Sequence, residues 1–96
     1  MVGVEKQELG LLFDGPNFKV VKKGGQAGEK VENHNHPEAH VVFTVVKGKV
    51  DVQLNQEEQH ILEPGTVLQF DGNNYIQATL VEDSEFIVTL VTKPGL

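Results

Sequence analysis

The chain has 96 residues, a formal net charge of −6 and no cysteine. This length fits one domain with a thin core, of the kind that a ligand or a second subunit often stabilises, so we expect a homodimer. The negative charge argues against nucleic acid and anionic membranes as partners, because both attract clustered positive charge. The absence of cysteine excludes disulfides, thiolate catalysis and thiolate zinc sites.

The basic residues are eight lysines, with no arginine. Bidentate recognition of carboxylate or phosphate usually uses the guanidinium group of arginine. The absence of arginine therefore disfavours a pocket for a dicarboxylate or a sugar phosphate. Lysine can still act there as a point charge. Residues 1–10 lack the apolar core of a signal peptide, and no apolar run is long enough to span a bilayer. The sequence therefore predicts one cytoplasmic domain over residues 1–96.

Short β-rich runs follow one another along the chain. Residues 7–13 fit either one helical turn or an edge strand, because Gly10 interrupts any helical pattern. The segment 40–46 is nearly all apolar and β-branched, which predicts a strand buried on both faces. The segment 49–54 alternates apolar and polar residues, as in a half-buried antiparallel strand. The other predicted strands are 18–22, 59–62, 67–70, 75–81 and 86–92, with turns at 55–58, 63–66, 71–74 and 82–85.

No segment has a convincing helical stripe with caps. Short strands separated by turns at nearly regular intervals are typical of a sandwich or a barrel. The sequence therefore predicts an all-β fold, with a barrel core over about residues 18–93.

Three of the four histidines lie in the segment 33–40, Asn-His-Asn-His-Pro-Glu-Ala-His. In an extended chain alternate side chains share a face, so His34 and His36 project together and form half of a metal site. His40 has even spacing from His36, although Pro37 interrupts the ladder between them. The alternative is a solvated turn before a buried strand, which is the commoner meaning of an isolated His-x-His pair.

The frame around this pair resembles the first motif of the cupin superfamily. Gly28 is followed by five residues and then by His34-Asn35-His36, and Gly48 follows the next strand. The segment 62–72 resembles the region of the second motif. The resemblance covers about residues 18–93 and implies a double-stranded β-helix, or jelly-roll, barrel.

The resemblance also implies metal ligands, which we carry over one at a time. His34 and His36 match the two motif histidines. The motif glutamate falls on Val41 when counted back from Gly48, whereas the shorter spacing from His36 places the third ligand at His40, and a β-bulge before Gly48 would reconcile the two counts. The second-motif histidine falls on Ile76, so the fourth ligand is missing.

Two functions follow from the resemblance. In the first, His34, His36 and His40 bind one divalent transition metal (zinc, nickel, iron, copper or manganese), and the protein acts on a small molecule. In the second, the chain is a non-catalytic cupin module with a vestigial metal site, which binds a small ligand or a protein partner. No catalytic residue is assigned, since Glu38, the nearest carboxylate to the cluster, is predicted in a solvent-facing turn.

His60 and Tyr75 also carry side chains that could act in a binding site. His60 is interpreted as an ordinary strand residue rather than a ligand. Tyr75 fits a pocket role or packing at the barrel rim with its hydroxyl in water, and the second interpretation is preferred.

Overall fold

The structure is a computed structural model that describes residues 2–95. Residues 2–95 contain no helix of the length and apolarity needed to cross a membrane. The described elements are nine strands: β1 (Gly10–Asp14), β2 (Phe18–Gly25), β3 (Lys30–His34), β4 (Ala39–Lys47), β5 (Val50–Leu54), β6 (Glu58–Leu62), β7 (Val67–Asp71), β8 (Ile76–Leu80) and β9 (Ser84–Thr92). The all-β prediction is confirmed.

The strands form two antiparallel sheets that share one hydrophobic core. The five-stranded sheet has the order β1-β2-β9-β4-β7, and the four-stranded sheet has the order β3-β8-β5-β6. Both sheets contribute buried side chains, for example Val41 and Phe43 from β4 and Val50 and Val52 from β5. Phe43 also stacks on Phe86 of β9, with ring centroids 4.7 Å apart.

Strand β5 follows its predicted alternation. Val50, Val52 and Leu54 are buried, whereas Asp51 and Gln53 are half-buried on the other face. The apolar residues point into the core because successive side chains of a strand point to opposite faces. A polar turn then leads into β6, as the sequence predicts.

Strand β4 corrects the prediction of burial on both faces. Its inward side chains are buried, but Val42 and Thr44 are only half-buried and Val46 is 44% exposed. The outward residues are shielded sideways by cross-strand neighbours, such as Thr89 and Gln69 beside Val42. A continuous β-branched run can therefore cover a half-buried strand, because β-branched side chains also pack well along a pleated surface.

The structure also decides between the helical turn and the edge strand considered for residues 7–13. The second half of residues 7–13 lies in the edge strand β1, in which Leu12 is buried. Strand β2 is longer than predicted and includes Gly24 and Gly25, which pair with Glu85 and Ser84 of β9.

Candidate ligand pocket at the histidine pair

A pocket of about 100 Å³ lies between the two sheets. One water molecule needs roughly 10–15 Å³ of cavity volume, so the pocket has room for a short-chain organic molecule. Its polar lining consists of Lys23, His34 and His36. Its apolar lining consists of Val21, Val31, Val41, Phe43, Ile76, Ala78, Phe86, Val88 and Leu90. It is therefore an apolar cleft with three polar side chains.

His34 enters the pocket because β3 carries one extra residue. Val31 pairs with Ala78, but His34 pairs with Ile76, so three steps along β3 match two steps along β8. An irregularity of this kind re-aims the side chains that follow it. Both Val31 and His34 consequently line the pocket, although strict alternation would place them on opposite faces.

His36 lies beyond the end of β3, so the alternation of a single extended strand, from which the sequence analysis placed both histidines on one face, does not reach it. Two backbone hydrogen bonds instead hold its loop against the β7–β8 turn. The amide of His36 donates to the carbonyl of Gly72 over 2.8 Å, and the amide of Gly72 donates to the carbonyl of Ala39 over 2.9 Å. Only glycine permits this approach, because a Cβ at position 72 would overlap the His36 and Ala39 carbonyl oxygens.

The two imidazoles lie edge to face, with ring centroids 4.9 Å apart. The Nδ1–H of His34 donates to the backbone carbonyl of Glu32 over 2.8 Å. A carbonyl only accepts hydrogen bonds, so the proton of neutral His34 lies on Nδ1, and Nε2 remains an acceptor for a ligand. The Nδ1 of His36 lies 3.8 Å from Oε1 of Glu38, beyond hydrogen-bond distance, so this contact does not fix which ring nitrogen carries the proton.

Burial lowers the pKa of His36 below its ordinary value. Repulsion from the protonated form of His34 and from the Lys23 ammonium lowers this pKa further, and the Glu38 carboxylate opposes them. Desolvation and like charge both disfavour the imidazolium form. His36 is therefore a neutral imidazole in the folded protein at pH 7.

This lowered pKa makes stability depend on pH. The unfolded chain, with an ordinary pKa of 6.5 for this histidine, binds the proton more readily than the folded chain. The stability contributed by neutral His36 is thus complete above pH 6.5 and is lost as the pH falls from there through the lowered folded pKa. We expect His36→Gln to flatten the fall in melting temperature between pH 7 and 5; an unchanged profile would contradict this account.

His40 is not brought to the pair. It precedes Val41, whose side chain points inward and is 2% exposed, so the His40 side chain points to the outer face of the five-stranded sheet. There it pairs across the strands with Asp71 and Val91. Within residues 2–95 no three histidine, cysteine, aspartate or glutamate side chains come together as a metal-binding group.

Comparison with known proteins supports the fold and the family. The model of the family described as "Cupin domain" matches residues 21–91. The chain belongs to the cupin family. Among proteins with curated functions, none matches this cupin.

Solved structures with the same fold include three of low sequence identity to this chain. KdgF from a Halomonas species is 22% identical, with a TM-score of 0.79 over 88% of this chain and 77% of that one. An RmlC-like cupin from Desulfovibrio desulfuricans is 23% identical, with a TM-score of 0.79 over 85% and 78%. The cupin domain of Schizosaccharomyces pombe Cnp3 is 20% identical, with a TM-score of 0.81 over 94% and 69%. At these identities the likeness establishes the fold.

The donor set of this cupin does not fit a metal centre with three or four protein ligands. The β-bulge expected before Gly48 is present, between Val45 and Lys47. Of the two residues considered for the third ligand, however, Val41 lines the pocket and His40 does not. Ile76 stands beside His34 across the strands and is buried. Two of the four ligand positions implied by the family motif are thus apolar, and two imidazoles remain.

Lys23 is the pocket residue that sequence reasoning missed. It follows Val21 by two residues on β2, so it shares the inward face. The spacing was visible in the sequence, but the predicted strand ended at residue 22 and so left Lys23 outside it. With Lys23 included, the polar lining is one ammonium group and two imidazoles, and no lining side chain is acidic.

The remaining candidates lie outside the pocket. Tyr75 is 46% exposed, in keeping with the rim position that the sequence favours. His60 lies on β6, where its Nε2 is 2.5 Å from Oε2 of Glu58. Glu38 lines a neighbouring recess on the other side of His36 rather than the pocket itself.

Proposed function

We propose that this cupin binds a small organic molecule between its sheets. The observation that carries the proposal is an apolar pocket with three polar side chains at one place, which is the usual composition of a small-molecule site. The aliphatic part of the ligand would contact residues such as Val31 and Val88. Its polar group would face His34, His36 and Lys23.

Binding is the activity that this lining supports best. A general base within reach of the ligand would have to be one of the two imidazoles, since Glu38 lies in the neighbouring recess. Both imidazoles have a role in holding the polar group of the ligand. The proposal is therefore the non-catalytic alternative of the sequence analysis, with a small molecule as the ligand.

The test is protein-detected NMR with the neutral probe 3-methylbutanamide. We expect saturable shifts in the backbone amides of β3 and β8, which border the pocket. Ala78→Val fills space in the pocket lining and should abolish these shifts. Ala27→Val adds the same methyl groups at an exposed position and should keep them. Binding that is equal in both variants, or absent from the wild type, would overturn the proposal.

A divalent metal on His34 and His36 is the second candidate, favoured by the 4.9 Å between the two rings. Two imidazoles give a weaker site than the three or four protein ligands of ordinary zinc centres. Metal analysis of untagged protein is the test. The double variant His34→Ala/His36→Ala should lose any bound metal that the wild type carries, whereas His40→Ala should keep it. If His40→Ala also loses metal, the three-histidine site of the sequence analysis is supported instead.

A second copy of the chain remains the proposed macromolecular partner. The proposal rests on the small size of the core that 96 residues can form.

A further inference from the structure

The polar lining of the pocket combines one constant positive charge with two imidazoles. Lys23 carries an ammonium group, which only donates hydrogen bonds. The Nδ1 of His34 donates to a carbonyl of its own segment, so its Nε2 is an acceptor for a ligand. The Nδ1 of His36 lies 3.8 Å from Glu38, beyond hydrogen-bond distance, so His36 can accept or donate. A ligand that satisfies all three needs an anionic acceptor and a neighbouring donor.

The charge of the pocket contrasts with the charge of the chain. The protein has 14 acidic residues and a net charge of −6, yet none of the side chains that line the pocket is acidic. A divalent cation placed here would meet the Lys23 ammonium without a compensating carboxylate. Lys23 is exposed as well as lining the pocket, so its ammonium would attract an organic anion from solvent.

The lining also limits the number of charges on the ligand. One lysine matches one carboxylate, whereas a dicarboxylate would leave its second charge against valine and phenylalanine side chains. The apolar walls instead favour a short branched hydrocarbon.

On these grounds we propose that the pocket is specific for a short-chain 2-hydroxy carboxylate, with its carboxylate on Lys23 and its hydroxyl donating to the imidazole pair. The inference rests on the proposed function, because it names the class of molecule that the same pocket binds. The hydrocarbon tail lies among the apolar residues, in contact with Ile76 and Val88. Lys23 then selects the charge, and the histidines select the hydroxyl group.

The experiment compares 2-hydroxy-3-methylbutanoate with two probes that each differ from it by one group: 3-methylbutanoate, which lacks the hydroxyl, and 2-hydroxy-3-methylbutanamide, which lacks the charge. Dissociation constants are measured by NMR titration with chelator present, so that metal-mediated binding does not contribute. We expect the hydroxy acid to bind about tenfold more tightly than its amide, because it gains a hydrogen bond between charged groups. It should bind about threefold to tenfold more tightly than the acid without the hydroxyl group.

Variants assign each preference to its residue. Lys23→Met should remove the preference for acid over amide, whereas Lys30→Met, which removes the same charge from the exposed side of β3, should keep it. The double variant His34→Ala/His36→Ala should remove the preference for the hydroxyl group and keep the preference for the acid.

The outcomes separate this inference from the proposed function. If the acid and the amide bind the wild type equally, or if Lys30→Met weakens the acid as much as Lys23→Met does, the anion inference is overturned and small-molecule binding stands. If neither these probes nor 3-methylbutanamide bind, both the anion inference and the proposed small-molecule binding are overturned.

Discussion

Replacing Gly72 with alanine is expected to lower the free energy of unfolding by about 3 kcal/mol, which is large for a single added methyl group. The new Cβ would overlap two backbone carbonyl oxygens, those of His36 and Ala39. Backbone atoms cannot rotate away as a side chain can, so both hydrogen bonds between this turn and the His36 loop would break or lengthen. For a domain of this size, such a loss lowers the melting temperature by more than about 10 °C.

Gly65→Ala is the matched control. Gly65 has φ +93, so alanine is strained there, but open space surrounds the position. Its expected cost is about 1 kcal/mol, the conformational penalty alone. Chemical denaturation of both variants measures the difference. A Gly72→Ala protein as stable as Gly65→Ala would show that the His36 loop does not depend on this close approach.

Ile76→His is expected to convert the pocket into a metal site. Position 76 is the cross-strand neighbour of His34, and directly opposed residues have Cβ atoms about 4.5–5.5 Å apart. The variant would place a third imidazole beside the existing pair. Without metal, the buried imidazole should cost about 2 kcal/mol, since a polar group replaces an apolar one that is 5% exposed.

Zinc should then reverse this loss. At a free zinc concentration of one hundred times the dissociation constant, binding to the folded state adds about 2.7 kcal/mol. The measurement is the melting temperature of wild type and variant with zinc and with chelator. Ile87→His, on the outward face of β9, is the control and should gain no such response. If zinc raises the melting temperature of Ile76→His no more than that of Ile87→His, positions 34, 36 and 76 do not converge as the structure indicates.

Most of the strands were predictable because their signal is local, but β3, which carries His34, was not among the predicted strands. Alternation over Val50, Val52 and Leu54 reports one buried face, and turn residues such as Pro64 and Gly65 report where the chain reverses. The pairing order of the sheets carries no comparable local signal, since β2 pairs with β9 and β3 pairs with β8 over long sequence separations. The resemblance to a family implied the jelly-roll barrel and gave no pairing of individual strands.

The site was predictable only in part. Spacing identified His34 and His36, which the structure brings together, but His40 looks equally plausible in the sequence. Its orientation is decided by Val41, because one of two adjacent strand residues must point outward and the core takes the apolar one. Lys23 was missed since a lysine at the end of a short strand is usually solvated.

The extra residue in β3 gives the residue count of this segment a meaning of its own. Removing one residue between Val31 and His34 would restore regular pairing with β8 and leave the first imidazole two residues after Val31, on the same inward face. A relative that lacks the bulge can therefore keep its histidine pair at the same pocket with one residue fewer before it. A motif that counts a fixed number of residues up to the first histidine would miss such a relative.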